Sequence, residues 1–182
     1  MPENVSSLLN PWSSFYILTG TAAAGLIGLM FVVITLVTGT ERARKSPDGI
    51  STFSTPTVVH FGAALFASAL LVVPWHSLLA PVVLLGLAGL CGVAYVVRLV
   101  ARTKRLDYYD ADAEDWIWYN ILPFAAYGAI LAGAITLARI PVDALFVLAG
   151  GVATLIFIGI HNAWDIVTFI VIGSPDDPPK ST

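Results

Sequence analysis

The stretch ALFVLAGGVATLIFIGIHNAWDIVTFIVI, residues 144–172, decides the fold. A helix needs about 20 apolar residues to cross the hydrocarbon of a bilayer, and this run exceeds that length. Its strongly polar residues are His161, Asn162 and Asp165. A carboxylate among apolar neighbours in a membrane helix costs a few kcal/mol unless it is paired or wetted, so Asp165 marks a candidate site. The remaining acids, of twelve in the chain, fall in tails, loops or helix ends. At 1.5 Å per residue the run measures about 43 Å, against about 30 Å of hydrocarbon. It is expected to tilt, to break near Gly150-Gly151 or Gly159, or to send its last turns out of the membrane.

Four further runs have the required length. The helices are expected at about 12–37, 56–74, 78–100, 116–138 and 144–172 of a single membrane-embedded domain spanning residues 1–182. Asn10-Pro11 reads as a cap and first-turn proline for the first helix. Thr55, Asp115 and Asp143 read as N-caps of the second, fourth and fifth. Pro123 inside the fourth should remove a hydrogen bond or kink it. No period-2 alternation competes, so the fold class is an all-α polytopic bundle.

Composition agrees. The chain is 57% hydrophobic and 12% charged, with a mean hydropathy of +0.83. A soluble domain carries about 25% charged residues, so lipid is the expected solvent. The single cysteine, Cys91, rules out a disulfide within the chain and a cysteine metal cluster. Without Lys or Arg before the first apolar stretch, that stretch is expected to be retained rather than cleaved as a signal. A formal net charge of -3 with no basic stripe gives no sign of nucleic-acid binding.

Orientation follows from the nine Lys and Arg residues. Threading five helices puts Arg42, Arg44, Lys45, Arg98, Arg102, Lys104, Arg105 and Lys180 on one side and only Arg139 on the other. The positive side is cytoplasmic. The N-terminus is therefore expected outside and the C-terminus in the cytoplasm. Trp12, Trp75, Trp116 and Trp118 sit near helix ends, as interfacial belts do, and His76 falls in a tight outer turn. The segment ARTKRLDYYDADAED (101–115) reads as a solvated cytoplasmic loop. It lacks the glycine and closing glutamate of an EF-hand.

The same threading brings polar residues to one depth. His60 on the second helix, Tyr95 and Arg98 on the third, Asn120 on the fourth, and His161 and Asp165 on the fifth all fall in the cytoplasmic half. On helix five, Thr154, His161, Asp165 and Thr168 share one face with Asn162 at its shoulder. Thr57, His60, Ala64 and Ser68 form a face of helix two; Thr21, Gly25, Gly28 and Thr35 form one of helix one. Such stripes are expected to face the interior. The candidate polar site is His60, Arg98, Asn120, His161, Asn162 and Asp165. The alternative reading is that Asp165 pairs with Arg98 or His60 and the site simply locks the bundle.

Small residues recur at packing intervals: Gly20, Ala24 and Gly28; Gly86, Gly89 and Gly92; Ala125, Ala129 and Gly133; Ala149, Ala153, Gly159 and Ala163. They suit close helix packing. They offer more surface than one bundle uses, so a homo-oligomer in the lipid bilayer is expected, with a further membrane-protein partner as an alternative. The segments TPTVVHF (55–61), GLIGLMFVVITL (25–36) and GIHNAWDIVTF (159–169) resemble those of an uncharacterised group of small bacterial inner-membrane proteins. The resemblance implies a bacterial cytoplasmic membrane location and gives weight to His60 and the His161–Asp165 motif.

Function follows less directly. A polar layer without a soluble domain points to an ion or proton channel, with pH sensitivity from its imidazoles. There is no TVGYG filter, no HExxH and no GxSxG elbow, so an enzyme is the weaker expectation. An accessory or scaffold subunit is the runner-up. A haem held by His60 and His161 is a lesser alternative. No cofactor and no metal are expected.

Overall fold

The computed structural model describes residues 5–38, 47–103 and 116–172, all helices and short turns without a strand among them. Five helices are long and apolar enough to cross a membrane. They are α1 (Ser13–Thr38), α2 (Pro47–Val72), α3 (Leu79–Thr103), α4 (Leu122–Thr136, whose span begins at Ile117 with the turn before it) and α5 (Pro141–Ile172). The positions of Lys104, Arg105, Arg42, Arg44, Lys45 and Lys180, the acidic part of the 101–115 segment and the Asp115 cap lie outside the described residues.

The boundaries differ from expectation where proline is involved. A short helix, Val5–Leu9, and a 3₁₀ turn, Asn10–Trp12, lead into α1, and the Ser13 hydroxyl closes that turn by donating to the Asn10 carbonyl at 2.7 Å. Helix α2 starts at Pro47 and runs through Pro56. Thr55 is therefore inside the helix and not its cap: the missing N–H of Pro56 forfeits one backbone bond without ending the helix. Helix α5 starts at Pro141, which suits a first turn whose N–H groups are unpaired in any case. Asp143 becomes a first-turn acid, well placed against the helix dipole, and not the cap.

Pro123 acts in another way. The residues just before it, Ile117–Ile121, form a π turn, and the Leu122 N–H donates to the Ile117 carbonyl five residues back. Proline cannot donate to the carbonyl four residues behind it, and the wider turn absorbs that loss. Helix α5 is continuous over 32 residues, about 48 Å at 1.5 Å per residue. It does not break at Gly150-Gly151 or Gly159.

The helices pack in the order α1, α2, α5, α4, α3, with lesser contacts of α1 on α5 and α2 on α3. Burial is deepest along α5 and α2, at 56% and 50% of their membrane windows, and shallowest along α1 and α3, at 22% and 28%. Two inner helices are thus flanked by peripheral ones. At one end of the bundle Trp12 meets Phe146 edge-on at 4.7 Å, and the Tyr16 hydroxyl donates to the Leu145 carbonyl at 3.3 Å. These contacts bring together the starts of α1 and α5. The core there is apolar, with Leu71, Leu85, Leu137, Leu145, Leu148 and Val152 fully buried. The outer surface carries Leu18, Leu29, Phe31, Leu36, Leu87, Phe157 and Trp164 exposed. Water would not tolerate an apolar surface of that extent, whereas hydrocarbon does.

At two glycines the close neighbour is an aromatic ring. A Cβ on Gly92 of α3 would lie 2.0 Å from Cδ1 of Tyr127, and a Cβ on Gly159 of α5 would lie 2.4 Å from Cε1 of Phe61. Each lets an aromatic ring lie directly on a helix backbone. Gly25 and Gly28 differ: they are exposed and nothing approaches within 4 Å of an added Cβ.

Candidate functional site

Helix α2 delivers its polar stripe to the interior, as its spacing predicts. Thr57, His60, Ala64 and Ser68 are all buried, His60 being only 2% exposed. Nδ1 of His60 lies 2.9 Å from the Tyr127 hydroxyl of α4. Gly92 of α3 leaves the space in which the Tyr127 ring sits. Three helices therefore fix this one hydrogen bond. Nearer the α1–α2 boundary, the Thr19 and Ser68 hydroxyls pair at 3.0 Å.

The stripes on α5 and α1 turn out differently. The side chains of His161 and Asp165 are 26% and 42% exposed, so this face lies at the margin of the bundle and not at its centre. On α1, Thr21, Gly25, Gly28 and Thr35 are exposed, and the opposite side, with Tyr16, Thr19, Ala23 and Met30, is buried. A physical reason for the tolerance is visible. The hydroxyls of Thr35, Thr154 and Thr168 donate to carbonyls of their own helix, at 2.8 Å to Phe31, 2.8 Å to Gly150 and 3.0 Å to Trp164. A threonine satisfied in this way needs no interior partner.

At that margin His161 is held on two sides. Its ring stacks on Trp118, with centroids 3.8 Å apart and planes 8° from parallel, and its Nδ1 lies 3.1 Å from Oδ2 of Asp165 one turn on. Trp118 comes from the π turn ahead of α4, so the turn that accommodates Pro123 also aims the indole. The flat indole face and the carboxylate together fix the orientation of the imidazole ring. Asn120, from the same turn, is half-buried.

The alternative pairing of Asp165 with Arg98 or His60 is not what forms. Among the described residues Asp165 pairs with His161 of its own helix, His60 is bonded to Tyr127, and Arg98 is exposed. Arg98 lies on the exposed side of peripheral α3. The two imidazoles thus have separate partners: Tyr127 for His60, and Asp165 with the Trp118 ring for His161.

The deepest polar group of α5 is Asn162. It is fully buried, and neither its carboxamide oxygen nor its nitrogen has a hydrogen-bond partner within the protein. A buried polar group left so costs about 1–3 kcal/mol. The residues that spacing alone did not single out are Tyr127 and Trp118. Tyr127 had a signal, the glycine ladder of α3 that its ring fills. Trp118 reads from sequence as part of an interfacial belt. No group of three or more His, Cys, Asp or Glu that could hold a metal ion exists among the described residues.

No family model matches this chain, and comparison with curated proteins and with solved structures gives no match.

Proposed function

We propose that this chain is a homo-oligomeric protein of the bacterial cytoplasmic membrane that conducts protons or small ions, with its N-terminus outside and its C-terminus in the cytoplasm. One observation carries the reading. Beside a core rich in leucine and valine, α2, the α4 segment and α5 carry a buried His60–Tyr127 hydrogen bond, a buried Asn162 and, at the margin, His161 against Trp118 and Asp165. Packing alone asks for none of these groups. In hydrocarbon they are expensive, and ionisable ones mark ion or proton pathways. The distribution of Lys and Arg supports a cytoplasmic placement of the end that carries them.

At the opposite end the buried polar side chains among the described residues are the Tyr16, Thr19 and Ser68 hydroxyls, each already hydrogen-bonded, so the path through that half is assigned to the boundary between protomers. The exposed Thr21, Gly25, Gly28 and Thr35 of α1 give that boundary small and polar side chains. Asp165 and His161 exchange protons with the cytoplasm, being partly exposed and 3.1 Å apart. The test is flux into liposomes containing the purified protein. Wild-type protein should conduct and the Asp165→Ala variant should not. Unchanged flux in that variant, or none from the wild type, removes the proposal.

A second reading, an accessory subunit of a membrane complex, has its own support. An apolar groove of about 510 Å³ runs between α1 and α2, lined by Ile17, Gly20, Ala24, Leu65, Ala69 and Val72 among others. A stoichiometric partner co-purifying with the chain, together with no flux, favours this reading over conduction.

A further inference from the structure

Asn162 has a carboxamide that both donates and accepts, yet it is fully buried with both atoms unpartnered by the protein. Its position follows from its neighbours on α5. Three residues before it, Gly159 receives the Phe61 ring of α2. The preceding residue, His161, stacks on Trp118 at the start of the α4 segment. Further up the same side, Gly151 lies against Ala126 and Ile130 of α4. Asn162 therefore faces the junction of α2 and α4. The same two helices are tied by the His60–Tyr127 hydrogen bond, with Thr57 buried one turn away from His60 on α2.

We infer that this junction is a hydration site, where bound water links the Asn162 carboxamide to the His60–Tyr127 pair. The chemistry selects water over other ligands. The surrounding Met30, Phe61, Ile158 and Ile166 are apolar and buried, so a charged ligand would lack compensation. An amide beside a phenol and an imidazole suits a small neutral molecule that donates and accepts at once. Buried water typically makes two to four hydrogen bonds to such groups, and Asn162 with the pair supplies that number. Half-open His161 and Asp165, on the neighbouring part of α5, provide the way in. The inference goes beyond conduction and holds whether or not the oligomer carries a current.

The experiment uses the wild-type chain, nitrogen-15 labelled, in lipid bilayers. Solid-state NMR follows magnetisation transfer from water protons to the side-chain amide of Asn162, assigned by its loss in the Asn162→Leu variant. The expected build-up is several-fold faster than at the backbone of Leu148 or Ile130 in the apolar core. A build-up as slow as theirs overturns the inference. Thermal unfolding gives an independent reading: a hydrated Asn162 makes Asn162→Leu melt below the wild type. A dry, orphaned amide makes the leucine variant melt at or above the wild type, and that result also overturns the inference.

Discussion

Gly92→Ala adds a single methyl group at the point where α3 meets α4. In the wild type that Cβ would sit 2.0 Å from Cδ1 of Tyr127, with Cγ and Cε1 at 2.4 and 2.5 Å. Ordinary contact requires about 3.5 Å or more, so either the ring or the helix must retreat by about 1.5 Å. The ring is tethered by its hydroxyl to Nδ1 of His60 at 2.9 Å, and a retreat of that size takes the pair out of hydrogen-bond range. Overpacking costs about 1–3 kcal/mol, and an interhelical hydrogen bond in a membrane adds about 0.6 kcal/mol, up to 1.7. The expected loss is therefore about 2–5 kcal/mol. The assay is reversible unfolding in mixed micelles titrated with denaturing detergent. Gly25→Ala is the control on a helix of the same bundle, since nothing lies within 4 Å of its added Cβ. It should be neutral or stabilising by up to about 1 kcal/mol through better helix propensity. If Gly92→Ala unfolds within about 0.5 kcal/mol of the wild type, Tyr127 does not fill that gap and the α3–α4 packing given above is mistaken.

Other outcomes follow from burial and orientation. Leu148→Ala should cost about 2–5 kcal/mol in the same unfolding assay, because the side chain is fully buried and packs against Gly133. Leu18→Ala, at a position 69% exposed, should stay within about 0.5 kcal/mol of the wild type. In a Cys91→Ala background, a membrane-impermeant maleimide applied to intact cells should label the Arg139→Cys variant and leave the Arg44→Cys variant unlabelled until the cells are opened. Labelling in the opposite order would invert the proposed orientation.

The spans were legible because hydrocarbon demands long apolar helices, and a chain of this composition meets that demand in only five places. Their ends were less legible. Thr55 and Asp143 read as N-caps, yet α2 begins at Pro47 and runs through Pro56, and α5 begins at Pro141. The π turn before Pro123 has no periodic signature, because one wide turn leaves the apolar pattern nearly unchanged.

The site was half legible for a related reason. Helical periodicity fixes which residues share a face, and it did so for α2, α1 and α5 alike. It does not say which face turns inward. Polarity was taken as the guide, and this succeeded for Thr57 and His60 on an inner helix. On α1 it failed because threonine satisfies its own hydroxyl along the helix. On α5 it ranked Asp165 above Asn162, whereas the carboxylate lies at the margin and the carboxamide at the centre. A charge in lipid gains by reaching the boundary, while a neutral amide is cheaper to bury. Tyr127 went unread because its role depends on glycines of a different helix.

Whether α2 and α4 meet through polar side chains is decided most directly by a double-mutant cycle on His60 and Tyr127. Unfolding free energies of the wild type, His60→Phe, Tyr127→Phe and the double variant should give a coupling of about 0.6–1.7 kcal/mol, because the 2.9 Å bond is lost only once. Strictly additive losses would mean that the two groups do not touch, and the polar junction in this membrane bundle would not exist.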